Sequence, residues 1–252
     1  MRPCDRSIEQ KEHTMLAAHP EATAMSISPD GKTVAWRDKN NLLGFRDVDT
    51  KKQSTVDMPG ALMSTSFSPD GMRLASVHAG KGGLVLWDVA KKTQLHHSKG
   101  DTRCAAFSPS GTELAVAFGE QMIYILDANT LQLQHERRWQ ATNGPVTCLT
   151  YSPDGRLLAG NGKDLKIWEV ATGTERISLP AGVPAFAPDG RLLAVAAKDK
   201  VQLYAVDTGS KMREWDFPGV VHAIAFAADG RHLATANANG TVYILRLASA
   251  VQ

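Results

Sequence analysis

Long apolar runs are missing from this chain. Nowhere does it approach the roughly 18 apolar residues in succession that a membrane-crossing helix requires. The first residues, MRPCDRSIEQKEH, are charged where a signal peptide is apolar, and Cys4 lacks the apolar stretch that precedes a lipoprotein anchor. The cytoplasm is therefore the expected compartment, with no membrane partner. Cysteine is scarce, with three residues and no CxxC pair, so no paired-thiol metal or redox site is expected. Cys104 and Cys148 are expected to be small buried thiols. Helical periodicity is almost absent.

Catalytic signatures are missing as well. The chain contains no G-x-S-x-G elbow, no Walker loop and no H-E-x-x-H. Gly80-Lys81-Gly82-Gly83 does not lead from a strand into a helix, as a phosphate cradle must. His96-His97, on an expected strand, would point to opposite faces and chelate poorly. No cofactor and no metal site is expected. The formal net charge of +2 selects no partner class. Lys51-Lys52 and Lys91-Lys92 fall in expected turns and read as solvated edges. Arg137-Arg138 beside Trp139 is a single basic-aromatic cluster, too small a footprint to make nucleic acid an expected partner.

What the chain does have is one turn made six times. ISPDG ends at Gly31, FSPDG at Gly71, FSPSG at Gly111, YSPDG at Gly155, FAPDG at Gly190 and FAADG at Gly230. Ser can accept a backbone N–H, Pro presets φ, Asp tolerates the bridge region and Gly supplies a positive φ. A type I turn followed by a left-handed Gly is a common hairpin connection. An apolar residue stands three places after each Gly and alanine four places after: Ala35, Ala75, Ala115, Ala159, Ala194 and Ala234. A methyl-sized residue at one fixed place implies sheets packed closely there.

The glycines are 40, 40, 44, 35 and 40 residues apart. Each interval reads as four strands: the two around the turn, a third ending in FRDV, LWDV, ILDA, IWEV, YAVD or ILRL, and a fourth such as QLHHS or TERISL. About 40–45 residues with four strands is the period of a propeller blade. Phe-Ser-Pro-Asp-Gly, Leu-Ala and Leu-Trp-Asp-Val together resemble the WD-repeat β-propeller family in its bacterial style, over about residues 8–247. Trp87-Asp88 and Trp168-Glu169 keep the signature pair or its near equivalent; Arg46, Leu126, Tyr204 and Leu245 stand in the Trp place elsewhere. The Gly-His pair that the family places before the first strand is absent, so its Asp–His–Ser/Thr–Trp network is not expected in most blades.

The expected fold is all-β, a six-bladed propeller with four antiparallel strands per blade, and one domain over residues 1–252. The last unit shows three strands within residues 221–247, so residues 7–16 are expected to supply its outer strand and close the ring. Loops on a rigid scaffold gather recognition residues. The face with the variable loops offers Arg37, Lys39, His78, Lys81, Arg103, Trp139 and His222, together with Lys163, Lys198 and Lys200. Trp and Arg are enriched at interface hot spots. The expectation is a non-enzymatic scaffold, monomeric or weakly associating, that binds a protein or peptide there. The alternative is a metal-dependent propeller hydrolase or lactonase using the central channel, with Asp38, Asn40, Asn161, Asp164, Asp199, Asn237 and Asn239 as candidate ligands.

Overall fold

Each repeated turn closes as its residues dictate. In the computed structural model, which describes residues 23–38, 40, 42–119, 121–141 and 144–247, the Gly71 N–H donates to the Ser68 carbonyl at 2.8 Å. The Ser68 hydroxyl accepts from the Arg73 N–H at 2.9 Å and donates to the Asp70 carboxylate at 2.5 Å. Serines 28 and 152 repeat this arrangement. The hydroxyl bond holds the carboxyls of Asp30, Asp70 and Asp154 below the usual range. All six turn glycines have φ between 66° and 73°, where any side chain is strained.

The turns join strands into six antiparallel sheets that stand in a ring as propeller blades. The first blade comprises β1 (Thr23–Ile27), β2 (Thr33–Arg37), β3 (Leu43–Asp47) and β4 (Gln53–Val56), and the second β5 (Leu62–Phe67), β6 (Arg73–His78), β7 (Gly83–Asp88) and β8 (Thr93–Ser98). The third holds β9 (Thr102–Phe107), β10 (Glu113–Phe118), β11 (Met122–Asp127) and β12 (Leu133–Gln140). The fourth holds β13 (Cys148–Tyr151), β14 (Leu157–Asn161), β15 (Asp164–Glu169) and β16 (Glu175–Pro180), and the fifth β17 (Val183–Phe186), β18 (Leu192–Ala197), β19 (Lys200–Ala205) and β20 (Lys211–Asp216). In the sixth, β21 (Val221–Phe226), β22 (His232–Asn237) and β23 (Val242–Arg246) form three strands among the described residues. No helix occurs among the described residues.

The core consists of the seams between blades. Successive residues of a strand face opposite ways, so the two apolar positions after each turn serve two neighbours. Leu74 packs with Ala35 of the blade before, Leu158 with Ala115, Leu193 with Ala159 and Leu233 with Ala194. Leu114 meets Ala75 in the same way. Burying each such leucine contributes about 1.5–3 kcal/mol. The third strands obey the same register: Leu74 pairs with Trp87, Leu158 with Trp168, Leu193 with Tyr204 and Val34 with Arg46.

The third blade departs from the pattern in its outer strand. β12 takes five residue steps, Leu133 to Arg138, where β11 takes only two, Leu126 to Tyr124. This wide bulge absorbs most of the extra length of the 44-residue interval. It aims Arg137 at Glu113, with which it forms an ion pair. The sixth blade departs in another way, since Val242 and Ile244 on β23 are 66% and 62% exposed.

Two variants test this account. Ala115 and Ala194 are fully buried, so Ala115→Leu and Ala194→Leu force methylenes into closed seams, and each is expected to cost about 1–3 kcal/mol in urea unfolding. Wild-type stability in both would place these side chains outside the seams. The expected closing strand, residues 7–16, lies outside the described residues. Deleting it is expected to produce aggregates or strand-exchanged oligomers, because an unpaired edge at β23 templates association. A deleted form that stays monomeric by light scattering, with unchanged amide protection in Val242–Arg246, would rule out that strand.

Candidate protein-interaction surface

Strand topology places the starts of the first and third strands and the ends of the second and fourth on one face of the ring. Arg37, at the end of β2, is half-buried, and its guanidinium donates to the Leu62 carbonyl at 3.3 Å, tying the first blade to the second. Arg103, near the start of β9, donates from Nε to the Gly119 carbonyl at 3.0 Å and lies 3.8 Å from the Asp101 carboxylate. Lys81, in the β6–β7 loop, and His222, at the start of β21, are exposed. Lys39 lies outside the described residues. Arg37, Lys81, Arg103 and His222 thus stand on one face, contributed by four blades.

His78 and Trp139 sit elsewhere. His78 is expected on a surface loop, but β6 continues through it and its ring has 0% exposure. The reason lies in strand geometry, since His78 and Ser76 are two residues apart and share a face. The His78 Nε2 lies 2.8 Å from the Ser76 hydroxyl, which accepts from the Trp87 indole N–H at 2.7 Å. The His78 Nδ1 lies 3.2 Å from the Gly60 carbonyl. This His–Ser–Trp chain is built with a histidine from the second strand, where the family resemblance implied one before the first. In the sixth blade, Asn237 donates to Thr235 at 3.2 Å from the same two positions.

Trp139 is on β12 itself and not in a segment between blades. It pairs with Ile123 and packs against the seam between the third and fourth blades. Its ring lies over the next blade's turn at Gly173, where a Cβ would come within 2.9 Å of it. The indole nitrogen is buried and finds no hydrogen-bond partner among the described residues. Trp139 is thus partly buried as a wedge in the seam.

Hydroxyls and thiols line the central channel. A cavity of about 460 Å³ runs along the inner strands and is bordered by Thr65, Ser66, Cys104, Thr147, Cys148 and Thr150. The hydroxyls of Ser26 and Thr65 lie 2.7 Å apart across two blades. Burial pushes the Cys104 and Cys148 thiols upward, away from the reactive thiolate. Among the described residues no three His, Cys, Asp or Glu side chains converge on a metal-sized site. Several candidate channel ligands are engaged in hydrogen bonds to nearby backbone. Asp38 accepts from the N–H groups of Asn40 and Leu42, Asn161 accepts from the Gly182 N–H, and Asn239 accepts from Thr241.

Burial lowers the His78 pKa, with the Gly60 carbonyl opposing and the His97 charge adding to the shift. The unfolded chain therefore binds a proton that the folded one resists, so this contribution is present above about pH 6.5 and is lost as pH falls below it. His78→Asn, which imitates the Asn237 arrangement, is expected to show a shallower loss of stability between pH 6.5 and 5 in urea titrations. An unchanged slope would mean that His78 titrates as it does in the unfolded chain.

Comparison with known proteins agrees with this architecture. The WD domain, G-beta repeat family matches residues 133–169 and 211–245. Apoptotic protease-activating factor 1 of Rattus norvegicus is 27% identical over 177 residues, covering 66% of this chain and 14% of that protein. Its Homo sapiens counterpart is 31% identical over 158 residues, covering 59% of this chain and 12% of the relative. Small ribosomal subunit protein RACK1 of Schizosaccharomyces pombe is 30% identical over 123 residues, covering 44% and 38%. The chain thus spans a minor part of the length of each of these relatives. With six antiparallel sheets around a ring, the last of three strands among the described residues, and these matches in its repeats, the chain is a six-bladed β-propeller built of WD-type repeats.

Proposed function

We propose that the chain is a non-enzymatic scaffold that binds a protein or peptide on the face carrying its variable loops. One observation carries this reading: Arg37, Lys81, Arg103 and His222 reach that one face from four blades of a rigid frame. A broad, multi-blade display of polar and cationic groups, three of them Arg or Lys, suits a macromolecular partner better than a small substrate, which needs convergent groups in a pocket. Two relatives bear names that tie them to other proteins, a protease-activating factor and a ribosomal subunit protein. No membrane-crossing helix occurs among the described residues.

The test is capture on the immobilised full chain. Lys81→Ala, Arg103→Ala and His222→Ala are expected to leave the melting temperature nearly unchanged. A hot spot among them weakens capture by about 30-fold, the equivalent of about 2 kcal/mol. Equal capture by all three variants would remove this face as the binding site.

A further inference from the structure

In four blades one position in the outer strand closes the rim of the seam that follows it. It lies opposite an apolar residue of the third strand: Val56 opposite Leu43, Trp139 opposite Ile123, Leu179 opposite Leu165 and Trp215 opposite Val201. Each of these four packs into its seam. In the second blade the residue opposite Leu84 is Ser98. A cavity of about 260 Å³ opens there, between the second and third blades, lined by Leu84, Ser98, Val116, Phe118, Tyr124 and Leu133 among others. Phe118 and Leu133 are 38% and 37% exposed at its mouth. The socket exists because the side chain that fills the equivalent place in the other seams is missing.

Two cations flank the socket. Lys99 follows Ser98 and is exposed. Arg138 stands opposite Tyr124 in the register and is also exposed. Neither makes an ion pair among the described residues, whereas the acidic neighbour Asp101 lies beside Arg103. An apolar hole flanked by two cations without an ion pair among the described residues selects a ligand with an apolar anchor and carboxylates beside it.

We propose that this rim socket binds a bulky apolar side chain, such as Leu, Phe or Trp, presented by an acidic segment of a partner protein. The residues that fill the other seams specify the anchor, and Lys99 and Arg138 specify the flanks. This rests on the scaffold reading and adds to it a second contact, on the rim instead of the loop face.

The test uses the full chain and a displayed random dodecapeptide library, followed by fluorescein-labelled synthetic copies of the enriched peptides. The expected peptides carry one large apolar residue flanked by Asp or Glu. Their affinity should fall tenfold or more in Ser98→Trp, which fills the socket from within, while the melting temperature stays level or rises. Arg138→Glu, an exposed change that leaves the seam intact, should weaken binding about tenfold and reduce its salt dependence. Arg156→Ala, an exposed change in a turn of the fourth blade, should leave peptide affinity unchanged. No enrichment, enrichment of peptides without this pattern, or undiminished binding to both Ser98→Trp and Arg138→Glu would overturn the proposal. A wild-type dimer in sedimentation that Ser98→Trp abolishes would assign the socket to a second copy and equally overturn it. Protein capture that survives Ser98→Trp but is lost in the loop-face variants would leave the scaffold reading standing without the socket.

Discussion

Alanine packed against leucine across the seam between two sheets is the contact on which this molecule depends. Placing Leu (Val in the first unit) three and Ala four residues after each turn sends the two side chains to opposite faces, so one strand joins two seams at once. Leucine supplies the apolar area, and alanine lets the neighbouring sheet come close enough to bury it. A single blade has two apolar faces and cannot cover either alone, which is the general reason such repeats are stable only in sequence. The turns follow from this demand. A positive-φ glycine in every one of the six repeated turns and a serine hydroxyl capping four of them keep the second strand in a register where a slip of one residue would put alanine where leucine belongs.

The family matches show how the seams are also joined covalently. Residues 133–169 run from β12 through β15, and residues 211–245 from β20 through β23. Each matched unit therefore consists of the outer strand of one blade and the three inner strands of the next. A sequence repeat offset by one strand from the structural repeat stitches every pair of neighbours together. The same offset, applied to the first blade, is the ground for expecting an outer strand ahead of β1.

Features set by local chemistry were readable without coordinates. The six turns, the period, the alanine row and the residues standing in the Trp place all depend on a few neighbouring residues, and each appears where expected. Features set by strand extent were not. His78 looked like a loop residue because Ala79-Gly80 follows it, yet two more residues of pairing carry it into the core beside Ser76. Its i, i+2 spacing from a serine, with Trp87 on the next strand, was the available signal. Trp139 looked like part of a long connection because a tract as polar as HERR precedes it. The bulge in β12 lets Arg137 pair with Glu113 while the strand resumes in time to place the indole at the seam.

Ser98 was invisible for a different reason. A serine at the end of an outer strand is unremarkable in sequence, and its significance appears only when the registers of five blades are superposed. The same superposition reassigns Trp139. Both residues occupy one structural position, which one blade fills with an indole and another leaves open. A ring of equivalent seams offers a partner no distinctive site, because every groove resembles the next. Selectivity has to arise where the repeat is broken. Around this ring the breaks fall in the loops that differ between blades and at the second seam, where the absent side chain leaves apolar surface that the sheet cannot cover by itself.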